Sequence, residues 1–192
     1  MDNNGYNPSV EALQAELKRI RHRRKYARVI RTTIYTLITV AAISVLVAVL
    51  WLPVLQIQGN SMSPTMNDGN IVLSVKSSSC EKGDVIAFYY NNKVLIKRVI
   101  ATPGDVVDIN AEGDVYVNGE LLNEPYVDKK HIGQCNIEFP YQVPAAKYFV
   151  LGDHRETSVD SRNTAVGCVA EDQIVGKILF CIWPLKDFGP VN

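Results

Sequence analysis

Val85-Ile86-Ala87-Phe88-Tyr89-Tyr90-Asn91-Asn92-Lys93-Val94-Leu95-Ile96-Lys97-Arg98-Val99-Ile100 consists of two apolar runs around a pair of asparagines. Both runs are rich in β-branched and aromatic residues. Asparagine tolerates positive φ, so Asn91-Asn92 predicts a tight turn between two antiparallel strands. With period two, Lys93, Leu95, Lys97 and Val99 share one face, while Ile96 and Arg98 take the other. Lys97 therefore sits between Leu95 and Val99, where burial penalises its charged form. Bringing a lysine from about 10.4 to about 7–8 costs some 3–4 kcal/mol, which folds tolerate mainly where a neutral amine has a task. The other reading is a strand-edge lysine whose ammonium reaches back to water.

Outward from this hairpin the same grammar repeats. Ile71 to Val75 is a strand broken by Lys82-Gly83-Asp84. After Pro103-Gly104, strands at Val106 to Ile109, Val115 to Val117 and Glu120 to Leu122 form a meander through Glu112-Gly113-Asp114 and Asn118-Gly119. Residues 123–147, with Pro125, Pro140 and Pro144, form an irregular excursion. Tyr148 to Leu151 and Ile174 to Ile182 are further strands. The expectation is a mainly β domain, a coiled, barrel-like antiparallel sheet, with no long amphipathic helix.

Upstream, Thr32 to Leu52 is 21 residues without a charge. At about 1.5 Å per residue this matches a hydrocarbon core about 30 Å thick. It exceeds the apolar core of a cleaved signal, and the segment before it is too long for one. Residues 1–31 hold eight Lys/Arg and three acids, net +5, and the remainder is net −5, so the chain's zero hides a marked asymmetry. Basic flanks stay inside, so the N-terminus is expected in the cytoplasm and the remainder outside a cell membrane crossed once. The predicted organisation is a tail over 1–31, an anchor over 32–52 and an extracytoplasmic domain over 53–192.

Val10, Leu13, Leu17 and Ile20 form a helical stripe behind a Ser9 cap. The basic segment is either an amphipathic helix on the inner leaflet or a topology signal alone. It carries no DNA-reading motif, and no nucleic acid is expected as a partner. Cys80, Cys135, Cys168 and Cys181 allow three disulfide pairings, none of which the sequence selects. No Cys or His spacing suggests a metal.

Seven residues past the apolar run stands Gly59-Asn60-Ser61-Met62-Ser63-Pro64-Thr65, a serine in a Gly- and Pro-bounded turn. A serine hydroxyl needs a neighbouring base to become a nucleophile. Lys97 is one candidate. Asp153 and His154 offer a Ser-His-Asp alternative.

Taken together, four segments in order resemble bacterial type I signal peptidase, a membrane-anchored serine protease. Ser61-Met62-Ser63-Pro64-Thr65 with Asp68-Gly69-Asn70 is similar to the nucleophile box. Lys97-Arg98-Val99-Ile100-Ala101-Thr102-Pro103-Gly104-Asp105 is similar to the base box. Tyr148 to Asp153 leads into the box of Arg155, Ser158, Asp160, Ser161 and Arg162.

The resemblance implies a Ser-Lys dyad of Ser61 and Lys97, with Ser158 hydrogen-bonded to the lysine nitrogen. Asp160 with Arg162, and Asp153 with Arg155, are implied as supports. Ser61 N–H is implied as an oxyanion donor, with a backbone group at Gly59 standing where many relatives use a serine hydroxyl. Leu55, Ile57, Met66 and Ile96 resemble the lining of pockets for small residues at the first and third positions before the cut; an ordinary core role is the alternative. The implied substrates are secretory preproteins, the implied surroundings a lipid bilayer, and no cofactor is expected.

His154 replaces the family's usual asparagine, and Gln58 a frequent proline. The single anchor resembles the Gram-positive form, and a lysine base speaks against the endoplasmic-reticulum type. A soluble self-cleaving repressor-type protease is the nearest rival, and an inactive tethered module the next.

Overall fold

The computed structural model describes residues 9–51, 53–77 and 79–191. Met1 to Pro8 of the expected tail and Leu52, the last residue of the expected anchor, lie outside that set. The chain divides into two compact units, Met1–Val49 and Leu50–Asn192.

Helix α1 runs from Val10 to Trp51. Ser9 stands at its start, its carbonyl accepting the Leu13 N–H at 3.1 Å. Leu13–Val47 is long and apolar enough to cross a membrane. The hydroxyls of Thr32, Thr36, Thr39 and Ser44 each bond the carbonyl one turn back, at 2.8–2.9 Å. Such back-bonding satisfies polar side chains on an apolar helix. The basic segment continues the apolar run as one helix rather than forming a separate one.

The remainder is built of short strands: β1 (Val54–Gln56), β2 (Ile71–Val75), β3 (Val85–Tyr90), β4 (Lys93–Ala101), β5 (Val106–Ile109), β6 (Val115–Val117), β7 (Glu120–Leu121), β8 (Tyr141–Gln142), β9 (Lys147–Leu151), β10 (Val169–Ala170), β11 (Ile174–Trp183) and β12 (Gly189–Pro190). The larger sheet has the order β1-β2-β11-β3-β4-β9-β10, with β12 paired to β11. The smaller has the order β7-β6-β5-β8 and contains the expected meander. Every ladder is antiparallel, and neither sheet closes on itself.

The β3–β4 hairpin pairs Val85 with Arg98 through Tyr90 with Lys93, and Asn91 takes φ 50° as its turn requires. Strands β1, β8, β10 and β12 fall in stretches the sequence reading leaves as loops. They are two or three residues long, too short to show a period, and are held by partners distant in sequence.

Two features of this layout position the site. First, β4 changes neighbours along its length. Lys93 to Arg98 pair with β3, but β9 joins the other edge only from Arg98 onward. The outer edge of Lys93 to Lys97 is open. Second, among the described residues β1 pairs only with β2, so its other edge is open as well. A cluster of Ile57, Met62, Met66, Val72, Val85 and Ile178 fills the core beneath the turn that follows β1.

Candidate active site

The turn bearing Ser61 is shaped by what it buries. Met62 and Met66 are 1% and 0% exposed and plug the core beneath it, so Ser61 is left half-buried at the surface. Met66 N–H bonds Met62 carbonyl at 2.8 Å, and Ser63 N–H bonds Asn60 carbonyl at 3.1 Å. Gly59 enters the turn at φ 88°, a conformation costly for other residues. Its N–H donates to Asp68 Oδ1 at 2.7 Å. That corrects one expectation, because the Gly59 backbone donor is already engaged and does not point freely at an oxyanion. Among the described residues Ser61 N–H has no partner.

Lys97 Nζ lies 2.7 Å from Ser61 Oγ in hydrogen-bond contact. Lys97 is 3% exposed, and burial lowers its pKa from 10.5 to about 8; Asp160 and Asp153 pull it back up, and Arg162 adds to the fall.

His154 does not take part. Its ring Nδ1 meets Thr157 Oγ1, and its N–H donates to the Ser61 carbonyl at 3.1 Å. Asp153 is committed elsewhere, so no Ser-His-Asp arrangement is assembled.

Behind the pair lies a buried polar network. Asp160 accepts from Arg162 Nε and NH2, each at 2.8 Å, and from Gly152 N–H at 3.0 Å. Asp153 pairs with Arg98 rather than with Arg155, accepting Nε at 3.0 Å and NH2 at 2.8 Å, and it also accepts the Thr65 hydroxyl at 2.5 Å. Arg155 pairs instead with Glu124. Alternation explains the change, since Arg98 points away from Lys97 and into the interior, where it needs a carboxylate.

The hydrogen bond expected between Ser158 and the lysine nitrogen is also not formed. Ser158 Oγ is buried without a partner among the described residues. It lies against Gly152, where a Cβ would overlap both Ser158 Oγ and the Ser61 carbonyl.

A cleft of about 560 Å³ opens beside Ser61 between β1 and the first half of β4. Leu55, Ile57 and Ile96 line it. Met66 does not; it belongs to the core, because the turn rotates it inward. Met62 and Leu95 line the cleft in addition. The cleft meets β4 edge-on, so neighbours from both faces of the strand reach it. Of the residues missed, Met62 lies within the nucleophile turn and was legible by adjacency. Thr65, Glu124 and Tyr126 gave no sequence signal for their roles as partners. All four cysteines are free thiols, and burial pushes Cys80 up to about 11. Among the described residues no cluster of His, Cys, Asp or Glu could hold a metal ion.

A hydroxyl against an amine of reduced basicity, beside a cleft of mixed polar and apolar lining with open strand edges, is the equipment of a serine endopeptidase. Residues 30–183 match the family model for signal peptidase, peptidase S26. Signal peptidase IB of Staphylococcus aureus is 41% identical over 152 residues, covering 69% of this chain and 78% of the relative. Signal peptidase I of Bacillus amyloliquefaciens is 35% identical over 144 residues, covering 68% and 74%. A solved signal peptidase I from Enterococcus faecalis is 30% identical and covers 52% of this chain and 96% of its own, with a TM-score of 0.44. The chain belongs to the signal peptidase family, peptidase S26.

Proposed function

We propose that the protein removes N-terminal signal peptides from secretory preproteins by two-step acyl transfer, with Ser61 as nucleophile and Lys97 as general base. The observation that carries this reading is the 2.7 Å contact between Lys97 Nζ and Ser61 Oγ at an amine whose pKa is brought down to about 8. Neutral Lys97 takes the Ser61 proton as Oγ attacks the scissile carbonyl carbon. The carbonyl π-electrons move onto oxygen, to which the Ser61 N–H would donate; one such donor is worth about 3–4 kcal/mol in measured cases. The tetrahedral intermediate collapses, the C–N bond breaks, and the Lys97 ammonium returns its proton to the leaving amine. Lys97 then deprotonates a water that attacks the acyl carbon; the C–Oγ bond breaks, the Lys97 ammonium returns the proton to Ser61 Oγ, and the carboxylate product leaves. Ser158, with its free acceptor capacity, would receive the Lys97 ammonium when the serine proton has moved.

The open edges of β1 and β4 support binding of the substrate as an added strand, whose backbone groups would meet the unpaired groups on either side. Leu55, Ile57, Met62, Leu95 and Ile96 leave shallow apolar recesses, which favours small side chains at the first and third positions before the cut. The polybasic start of α1 supports a cytoplasmic N-terminus, with the domain on the far side of the membrane. Exposed Trp183 is of a kind favoured at a lipid interface.

The test is cleavage of a synthetic signal peptide by the wild type and by Ser61→Ala. Cleavage by the wild type alone is the expected result. A Ser61→Ala variant that cleaves at the wild-type rate would overturn the assignment.

A further inference from the structure

The irregular excursion between β7 and β8 contributes no residue to the cleft. Yet it sends Glu124 and Tyr126 into the network behind the nucleophile. Glu124 is 6% exposed, and its carboxylate accepts the Arg155 guanidinium fork through Oε1 from NH2 and through Oε2 from NH1 at 3.2 Å. Oε1 also accepts the Tyr126 hydroxyl at 3.3 Å.

From there two arms reach the nucleophile turn. On one, Arg155 Nε donates to the Gly152 carbonyl at 3.1 Å, while Asp160 holds the Gly152 N–H on the other side. Gly152 is pressed so closely to the Ser61 carbonyl and Ser158 that no side chain fits there. On the second arm, the Tyr126 ring lies 3.9 Å from Arg98 Cζ, and Arg98 grips Asp153, which accepts the Thr65 hydroxyl. Thr65 is the last residue of the turn that begins at Ser61.

We infer that Glu124 is a positioning residue for the nucleophile, with Tyr126 as its second arm, acting through Arg155 on Gly152 and through Arg98 on Thr65. Fork-to-carboxylate pairing fixes direction as well as distance, which a single-point contact would not. Small misplacements of a reacting atom cost large factors in rate. The pair thus fixes where Ser61 Oγ stands relative to Lys97 without touching substrate or the reacting atoms. Because this rests on the Ser61–Lys97 reading, Lys97→Ala is carried as a control; if that control kept its activity, the dyad would fail, whatever Glu124 does.

The experiment compares kcat and KM on a synthetic signal peptide, per site titrated with a serine-acylating inhibitor, for wild type, Glu124→Asp and Glu124→Gln. A further variant, Glu124→Leu/Arg155→Met, removes both charges together, so that no unpaired ion is left buried if Glu124→Gln does not fold. The expected result is a fall in kcat per titrated site of about tenfold to a hundredfold in Glu124→Gln and in the double variant, with KM within about threefold. Glu124→Asp, which keeps the carboxylate, should recover part of the loss. A purely structural Glu124 would lower the number of titratable sites and leave kcat per site unchanged. Wild-type kcat per site in the folded double variant overturns the proposal, as does a rise in KM with kcat unchanged.

Discussion

Lys97 and Arg98 are consecutive on β4, and both are buried bases, 3% and 1% exposed, yet they have opposite company. Arg98 meets a carboxylate in a two-point grip, the Gly83 carbonyl at 2.8 Å and an aromatic ring. Lys97 meets one hydroxyl. Since side chains alternate across a strand, one step along the backbone moves a cation from a fully answered environment to a nearly unanswered one. The answered cation is a strut. The unanswered one loses part of its affinity for the proton, which fits it to serve as the proposed base. Burial is common to both, so it is the presence of a counter-charge that separates structure from chemistry here.

The sharpest way to break this comparison is to remove each base. Lys97→Ala and Ser61→Ala should each lower kcat by about 10⁴ or more, in a protein that still folds. The check is single-turnover cleavage beside a circular dichroism spectrum. Asp153→Asn attacks the other member, leaving Arg98 buried without its carboxylate. Loss of about 3–5 kcal/mol of stability is expected, read as a lower urea midpoint, and activity should fall with the folded fraction.

A gentler probe is pH. The neutral amine is the active form, so the acylation rate should rise with pH, reach half its plateau near 8 and fall about tenfold per unit well below that. The same shift has a sign for stability. Between about 8 and 10.5 the unfolded chain holds the Lys97 proton and the folded chain does not, so stability rises with pH across that window and is flat below it. The rise is about 3 kcal/mol. Lys97→Met should flatten it in urea titrations taken at both ends.

The smallest effect is expected for His154→Asn. Its ring reaches Thr157 and not the serine, so cleavage should stay within about threefold of wild type. A loss comparable to that of Lys97→Ala would bring histidine back as the base.

The hairpin and the order of the motif segments were legible because their information is local. Period two around Asn91-Asn92 predicts the β3–β4 register, and the fold brings Lys97 to Ser61 and Arg162 to Asp160. Pairing of charges was not legible in the same way. The resemblance implies Asp153 and Arg155 together as supports, but the interior offered Arg98 to one and Glu124 to the other. Nothing in Glu124-Pro125-Tyr126 signals that role, since a glutamate in a proline-containing loop is usually solvated. Met66 was misplaced for a related reason. By position it resembles a residue of the family's pocket wall, but the turn reverses direction between Ser61 and Met66 and sends it into the core.

The two unpaired strand edges flanking Ser61 have a consequence for what the enzyme leaves alone. A segment that seats between them must present its own backbone groups outward on both sides. A helix spends those groups on itself, and a strand inside a sheet spends them on its neighbours. Either would have to come undone over several residues before its carbonyl could reach the serine, and ordering a freed segment again carries its own entropic cost. If substrate binds as an added strand, as proposed, proteins that have finished folding would be spared. A bond would then be marked for cutting, in part, by surroundings that have not yet found a structure.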